Sequence, residues 1–364
     1  MDIEPNAAEA ARDQRGVCRL TLGALRRATL AAPAPAPAPV PVPVPVPGAD
    51  GPAAPPHHPP ALAARHPGLT ADDLGHPAVI ELAHTAQRAL RSGPLTPERH
   101  DELAARLDTA LALARAVPGR DCGGRPWRLE LAGPQPHLSR SVARALADTP
   151  PAPAAGARNG AAPATSEVRA WTDTERATAD EAIRLLAAVW PAMLDELTYT
   201  VRQIALLSGE AIEGFTDFTV HGAVFLGRER LTDEPDGLPA PLRLAEALLH
   251  EGTHQRCNAA LISTPLWHRT AEQGALVATP LRADRRPLGG LFHQMVVLSR
   301  SASFYRRLLT GRSGPALDQE LLRTRYARHR EDVGQAATTL EAHRAALTDE
   351  GRRVLARAGA EASA

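Results

Sequence analysis

The sequence predicts a mainly α-helical metalloenzyme, with at most a few short strands in an α+β arrangement. Its metal motif is expected on a central helix. Three observations lead there. The apolar residues are chiefly Ala, Leu and Val, while aromatic residues make up 3% of the chain, which favours helix over an aromatic sandwich core. Apolar residues recur at intervals of three and four in several segments. Finally, His250, Glu251 and His254 spell HExxH inside one of those segments.

The elements follow in order. Residues 1–62 are expected to form a disordered, proline-rich arm. Its start, MDIEPNAAEAARDQR, is acidic and has no apolar run, unlike a signal peptide. Residues 18–32, CRLTLGALRRATLAA, have the pattern of a basic amphipathic helix, read as a solvated tail or a helix docked on the main body. From Pro33 to Pro47 every second residue is proline. Each fixes its own φ and keeps its predecessor out of the α region, so a stiff polyproline-II spacer is expected. Of the 34 prolines, 13 fall within residues 33–60.

Residues 63–148 are read as a helical N-terminal portion. Val79, Leu82, Ala86 and Leu90 mark one helix, and Thr96 caps another with Pro97 in its first position and carboxylates in its first turns. A short strand is expected within 125–133 and a helix over 139–148. A flexible linker or loop spans 149–164, TPPAPAAGARNGAAPA. Residues 165–361 are assigned to a metal-binding domain with C-terminal helices. Within it, 172–207 is read as helical with a break near Trp190-Pro191, and 218–227 as the best strand. A helix follows over 242–261, then an irregular connection to Pro287, a helix over 291–309 and long charged helices to the end.

Charge and cysteine content remove several function classes. Lys plus Arg and Asp plus Glu both number 41, so net charge points to no polyanionic partner. The scarcity of aromatics argues against base stacking, and no nucleic-acid role is expected. No window approaches a membrane span. The 3 cysteines form no disulfide framework or zinc-ribbon spacing. The expected location is cytoplasmic.

At i and i+4 on a helix, His250 and His254 project from one face and can share a metal, with Glu251 beside it. Glu246, one turn upstream, is either a partner orienting His250 or a solvated carboxylate. Cys257 reads as a small buried residue before a soft ligand. A third ligand is sought among His293, Glu272 and His268. His293 is chosen because Leu291, Phe292, Met295 and Val296 surround it in sequence, where an unpaired imidazole would be costly.

Two chemistries branch from this helix. In a zinc hydrolase Glu251 would take a proton from metal-bound water. However, the extended motif HExxHxxGxxH is broken by Cys257 and Ala260, and no other peptidase third-ligand pattern is present. An Fe(II) site would leave positions for 2-oxoglutarate and O2, and would need a cation for the distal carboxylate. Arg282, Arg285 and Arg286 precede His293, and Arg300 follows it by seven residues.

With those segments in hand, residues 165–310 resemble the HExxH-motif domains encoded beside ribosomally made peptides. The likeness rests on GAVFLG, LAEALLHEGTHQ, RADRRPLGGLFHQ and FYRRL. That family comprises iron- and 2-oxoglutarate-dependent peptide β-hydroxylases. The resemblance implies His250, His254 and His293 as ligands and places arginines of RADRRP, or Arg300, near the co-substrate. The loop departs from the family's Asp-Pro-Arg-Pro, reading Asp284-Arg285-Arg286-Pro287, which leaves the anchoring arginine open. The expected function is Fe(II)- and 2-oxoglutarate-dependent β-hydroxylation of a ribosomally made peptide, with Glu251 positioning substrate. The alternatives are a Zn(II) metallopeptidase and a non-catalytic helical scaffold that binds peptides.

Overall fold

The computed structural model describes residues 1–28, 61–121, 126–148, 165–234, 237–268, 276–311 and 318–363. The proline-rich stretch 33–60 and the linker 149–164 lie outside the described residues. The architecture is mainly helical with a few short strands.

The first helix, α1 (Ala7–Arg27), lies within the expected disordered arm and matches the docked-helix alternative read for 18–32. Asn6 caps it by accepting a hydrogen bond from the Glu9 amide. Its buried face runs Ala10, Asp13, Gln14, Val17, Thr21, Ala24 and Leu25, a three-and-four spacing that presents one stripe to the body. Asp13 on that stripe pairs with the buried Arg256 at 2.8 Å. Local composition resembles a tail because the partner lies 243 residues away.

A short α2 (Ala71–Leu74) opens with a Thr70–Asp73 capping box. Helices α3 (Pro77–Arg91) and α4 (Pro97–Ala116) follow. Thr96 caps α4 as expected, accepting from the Arg99 amide. These helices share a core with α1 through Leu25, Val79, Leu82, Leu103 and Leu107. Strands β1 (Arg120–Asp121) and β2 (Pro126–Trp127) pair antiparallel, and β3 (Glu130–Ala132) precedes α5 (Pro136–Asp148).

Beyond the linker, β4 (Ser166–Arg169) leads to α6 (Asp173–Val189) and α7 (Pro191–Thr200). The break at Trp190-Pro191 lies where expected, since proline excludes its predecessor from the helix. The chain then enters β5 (Gln203–Gly209), which the sequence reading had continued as helix. Ile204 and Leu206 face one hydrophobic cluster, while Ala205 and Leu207 face another. A strand covered on both faces reads as an unbroken apolar run, which periodicity does not separate from helix.

β6 (Gly214–Thr216) and β7 (Ala223–Gly227) complete a five-stranded sheet in the order β3-β5-β7-β6. β4 pairs antiparallel with the later residues of β5, β3 and β7 run parallel to it, and β6 runs antiparallel to β7 at the edge. The expected strand 218–227 is thus half right, because Phe218–Val220 form a 3-10 turn. Helix α8 (Ala240–Ser263) lies against α1, α6, α7, β6 and β7.

The expected irregular connection before Pro287 contains an antiparallel hairpin, β8 (Val277–Thr279) with β9 (Arg282–Arg286). Helices α9 (Leu288–Thr310), α10 (Gln319–Ala342) and α11 (Asp349–Ser363) close the chain and pack on one another. Among the described residues no helix is long and apolar enough to cross a membrane.

Candidate functional site

Helix α8 buries Leu242, Ala245, Leu248, Leu249, Cys257 and Ala260, and also Thr253, Gln255 and Arg256, which leaves one half-buried face. On that face His250 and His254 stand one turn apart, with ring centroids at 5.2 Å. Gly252, between them, lies beneath α7. A Cβ there would meet Leu197 Cδ2 at 2.1 Å, so the glycine sets how closely α7 approaches the motif. Helix α9 brings His293 to 5.9 Å from His254, with Trp267 on the other side of His293 at 5.9 Å. Gly289 makes room for that indole, since a Cβ would stand 2.7 Å from Trp267 Cζ2.

The three imidazoles line one cavity of about 700 Å³, together with Glu251, edge strand β6, Arg230 and Arg286. Burial drives the histidines' pKa values down from the ordinary 6.5: to about 3 for His250, about 4 for His254 and about 3 for His293. Their mutual proximity adds to the effect at His250 and His293. Neutral rings keep a nitrogen lone pair, the state a metal ligand requires. His293 Nε2 and Gln294 Oε1 are buried without hydrogen-bond partners. Burial pushes Glu251 up from 4.5 to about 8, against the opposing charge of Arg230.

The donor set, three neutral imidazoles with an orphaned nitrogen on one of them, suits a borderline divalent ion such as Fe(II) or Zn(II). Among the described residues, however, no group of three or more His, Cys, Asp or Glu side chains is arranged to hold a metal as it stands. The rings are gathered without converging on one point.

Glu246 also lines the cavity, but its carboxylate is engaged elsewhere. It accepts from the Tyr305 hydroxyl at 2.8 Å and pairs with His329 Nε2 at 3.1 Å. The Tyr305 and His329 rings stack at 5.4 Å. Burial acts to raise the Glu246 pKa, but the His329 hydrogen bond and charge, with Tyr305, hold it below the ordinary 4.5. Cys257 is fully buried among apolar side chains, and burial lifts its thiol to about 12. His268 is exposed, with its backbone amide bound to Ala346, and Glu272 lies outside the described residues.

The expected arginines separate. Arg286 reaches the cavity wall and pairs with Asp284 at 2.8 Å. Arg285 is exposed and donates twice to the Leu276 carbonyl, bracing the hairpin. The Arg282 side chain lies outside the described residues. Arg300 does not line the cavity. Seven residues beyond His293 it shares the helix face but stands roughly 10 Å further along the axis. There it is fully buried, bound to Glu196 at 2.5 Å and to the carbonyls of Asp2 and Ile3. Its anion is a carboxylate of this chain.

Sequence reasoning missed Arg230, Asn258, Gln294 and the residues of β6. Asn258 repeats the four-residue step from His254, so helical spacing could have found it. Arg230 sits in a 3-10 turn after β7, where no periodicity marks it. Its nearest carboxylates, Glu213 and Glu229, stand at 3.8 and 3.9 Å, looser than the Asp284 partner of Arg286.

No protein-family model matches the chain, and no curated protein matches it in sequence.

Proposed function

We propose that this chain is an Fe(II)- and 2-oxoglutarate-dependent hydroxylase of a peptide substrate. One observation carries the reading: three neutral histidines and two arginines line the same cavity. Imidazoles alone would suit either ion, but cations in the same cavity suit an anionic co-substrate. His250, His254 and His293 would hold Fe(II), which would supply oxidative chemistry that converts O2 and 2-oxoglutarate to succinate and CO2 as a substrate C–H becomes C–OH. The resemblance of the motif segments points to a β-carbon of a peptide residue.

The protein's own groups have separate tasks. Arg230 and Arg286 hold the co-substrate's distal carboxylate through paired N–H donors. Glu251, buried at the cavity wall with a raised pKa, accepts or donates one hydrogen bond to the substrate. Asn258 and Gln294 offer amide groups that orient a peptide backbone. Glu246 stays with Tyr305 and His329 and buttresses α8 against α9 and α10.

Anaerobic titration of the full chain with Fe(II) and 2-oxoglutarate tests this. The expected result is a visible charge-transfer band that is absent from His250→Ala. Stoichiometric Zn(II), no 2-oxoglutarate binding, and peptide cleavage lost in Glu251→Gln would replace the reading with a metallopeptidase. That second reading draws on the position of Glu251, which lines the same cavity as both motif histidines.

A further inference from the structure

A second cavity, of about 310 Å³, opens between α1 and α3. Its apolar lining comes from Val17 and Ala24 of α1, Ile80 and Ala83 of α3, and Ile262 of α8. Two of the large apolar side chains most exposed on the described surface stand at it, Leu20 at 53% and Phe218 at 47%. Phe218 belongs to both cavities, so the histidine cavity and this one are neighbours across a single ring. His84 packs edge-on against that ring at 5.2 Å.

One charged group of the lining, Arg91, points to a ligand that carries an acidic group. His221 is 2% exposed, with Nε2 bound to Gln14 at 3.0 Å. Arg91 is exposed, and no carboxylate pairs with it among the described residues. A route between the cavities is also present. Strand β6 pairs with β7 along one side and lines the histidine cavity. It leads within two residues to Phe218. A strand edge left unpaired by its own sheet is a template for an extended peptide.

We infer that the second cavity seats an apolar side chain of an extended peptide, with an acidic residue of that peptide meeting Arg91. The peptide lies along β6, passes Phe218 and enters the cavity while another of its residues faces the histidines. This inference rests on the peptide-directed reading above and adds a recognition element to it. A small apolar pocket beside an exposed guanidinium discriminates by sequence, because a peptide lacking either the apolar or the acidic residue makes only half of the contacts.

Selection of a displayed library of random peptides on the Fe(II)-loaded full chain tests it. Selected peptides should share an apolar residue with a neighbouring Asp or Glu. Their affinity, read by fluorescence polarisation, should fall about tenfold in Leu20→Asp and in Arg91→Glu, roughly 1.4 kcal/mol each. Both positions are exposed, and circular dichroism should be unchanged. 2-Oxoglutarate binding should persist in both variants. Selected peptides that bind both variants as tightly as wild type would overturn the inference and leave the hydroxylase reading intact. A concentration-dependent dimer abolished by Leu20→Asp would overturn it too, assigning the groove to a second copy. Absence of 2-oxoglutarate binding in the wild type would instead remove the reading beneath it.

Discussion

At Glu196 a single buried carboxylate faces two buried guanidinium groups, Arg300 at 2.5 Å and Arg256 at 3.5 Å, and also accepts from the Asn6 amide. All three charged side chains are 2% exposed or less. Removing the shared acid leaves the buried Arg300 without a carboxylate, while Arg256 keeps Asp13, so Glu196→Ala should cost about 3–5 kcal/mol. Urea denaturation measures this, and a loss below about 1 kcal/mol would show that water reaches the cluster. Arg300→Ala should likewise lower stability while leaving 2-oxoglutarate affinity in the folded fraction unchanged. Arg230→Gln should do the reverse, weakening that affinity about tenfold with little change in the urea midpoint. Titration of the three proteins side by side separates the roles. The two motif histidines were legible because HExxH links residue type to helical spacing. Arg300 was misassigned because sequence shows an arginine's helix face but not the carboxylate that meets it from α7.

At the scale of elements, Gly252 governs the seam between α7 and α8. Gly252→Ala would gain helix propensity of up to about 1 kcal/mol, yet its methyl group enters space held by Leu197, which is fully buried. Overpacking of that kind typically costs about 1–3 kcal/mol. The net expectation is a lower melting temperature, which differential scanning calorimetry will register; an unchanged or higher value would show that Leu197 moves aside freely. Helices with caps were readable in order, Thr96–Pro97 before α4 and the proline break between α6 and α7 among them. Strand β5 and the β8–β9 hairpin were not. The former is a run of apolar residues buried on both faces, and the latter, RADRR, is charged at every position but one, so neither shows the alternation of a half-buried strand.

Across the whole molecule, several histidines away from the candidate site are buried in neutral form. Burial holds His76 at about 3, His137 at about 4 and His221 at about 4, each below the ordinary 6.5. The unfolded chain takes up these protons as pH drops through 6.5, while the folded chain does not until about 4 or lower. Stability is therefore full above about pH 6.5 and declines between there and about pH 4. The urea midpoint should fall between pH 7.5 and pH 5.0, and His137→Gln should reduce that slope. A midpoint independent of pH over this range would mean that the rings protonate in place.

The docking of α1 has a consequence for how the chain is made. Its contacts reach Arg256 across 243 residues, and the Arg300 bonds to the segment just before it span 297 and 298. During synthesis the apolar stripe of α1 meets α3 and α4 early, whereas Asp13 emerges long before its partner Arg256. Closing so distant a contact is slow relative to local helix formation. Docking of α1 on α8 thus waits for the far half of the chain, and until then Asp13 is without Arg256, its buried partner.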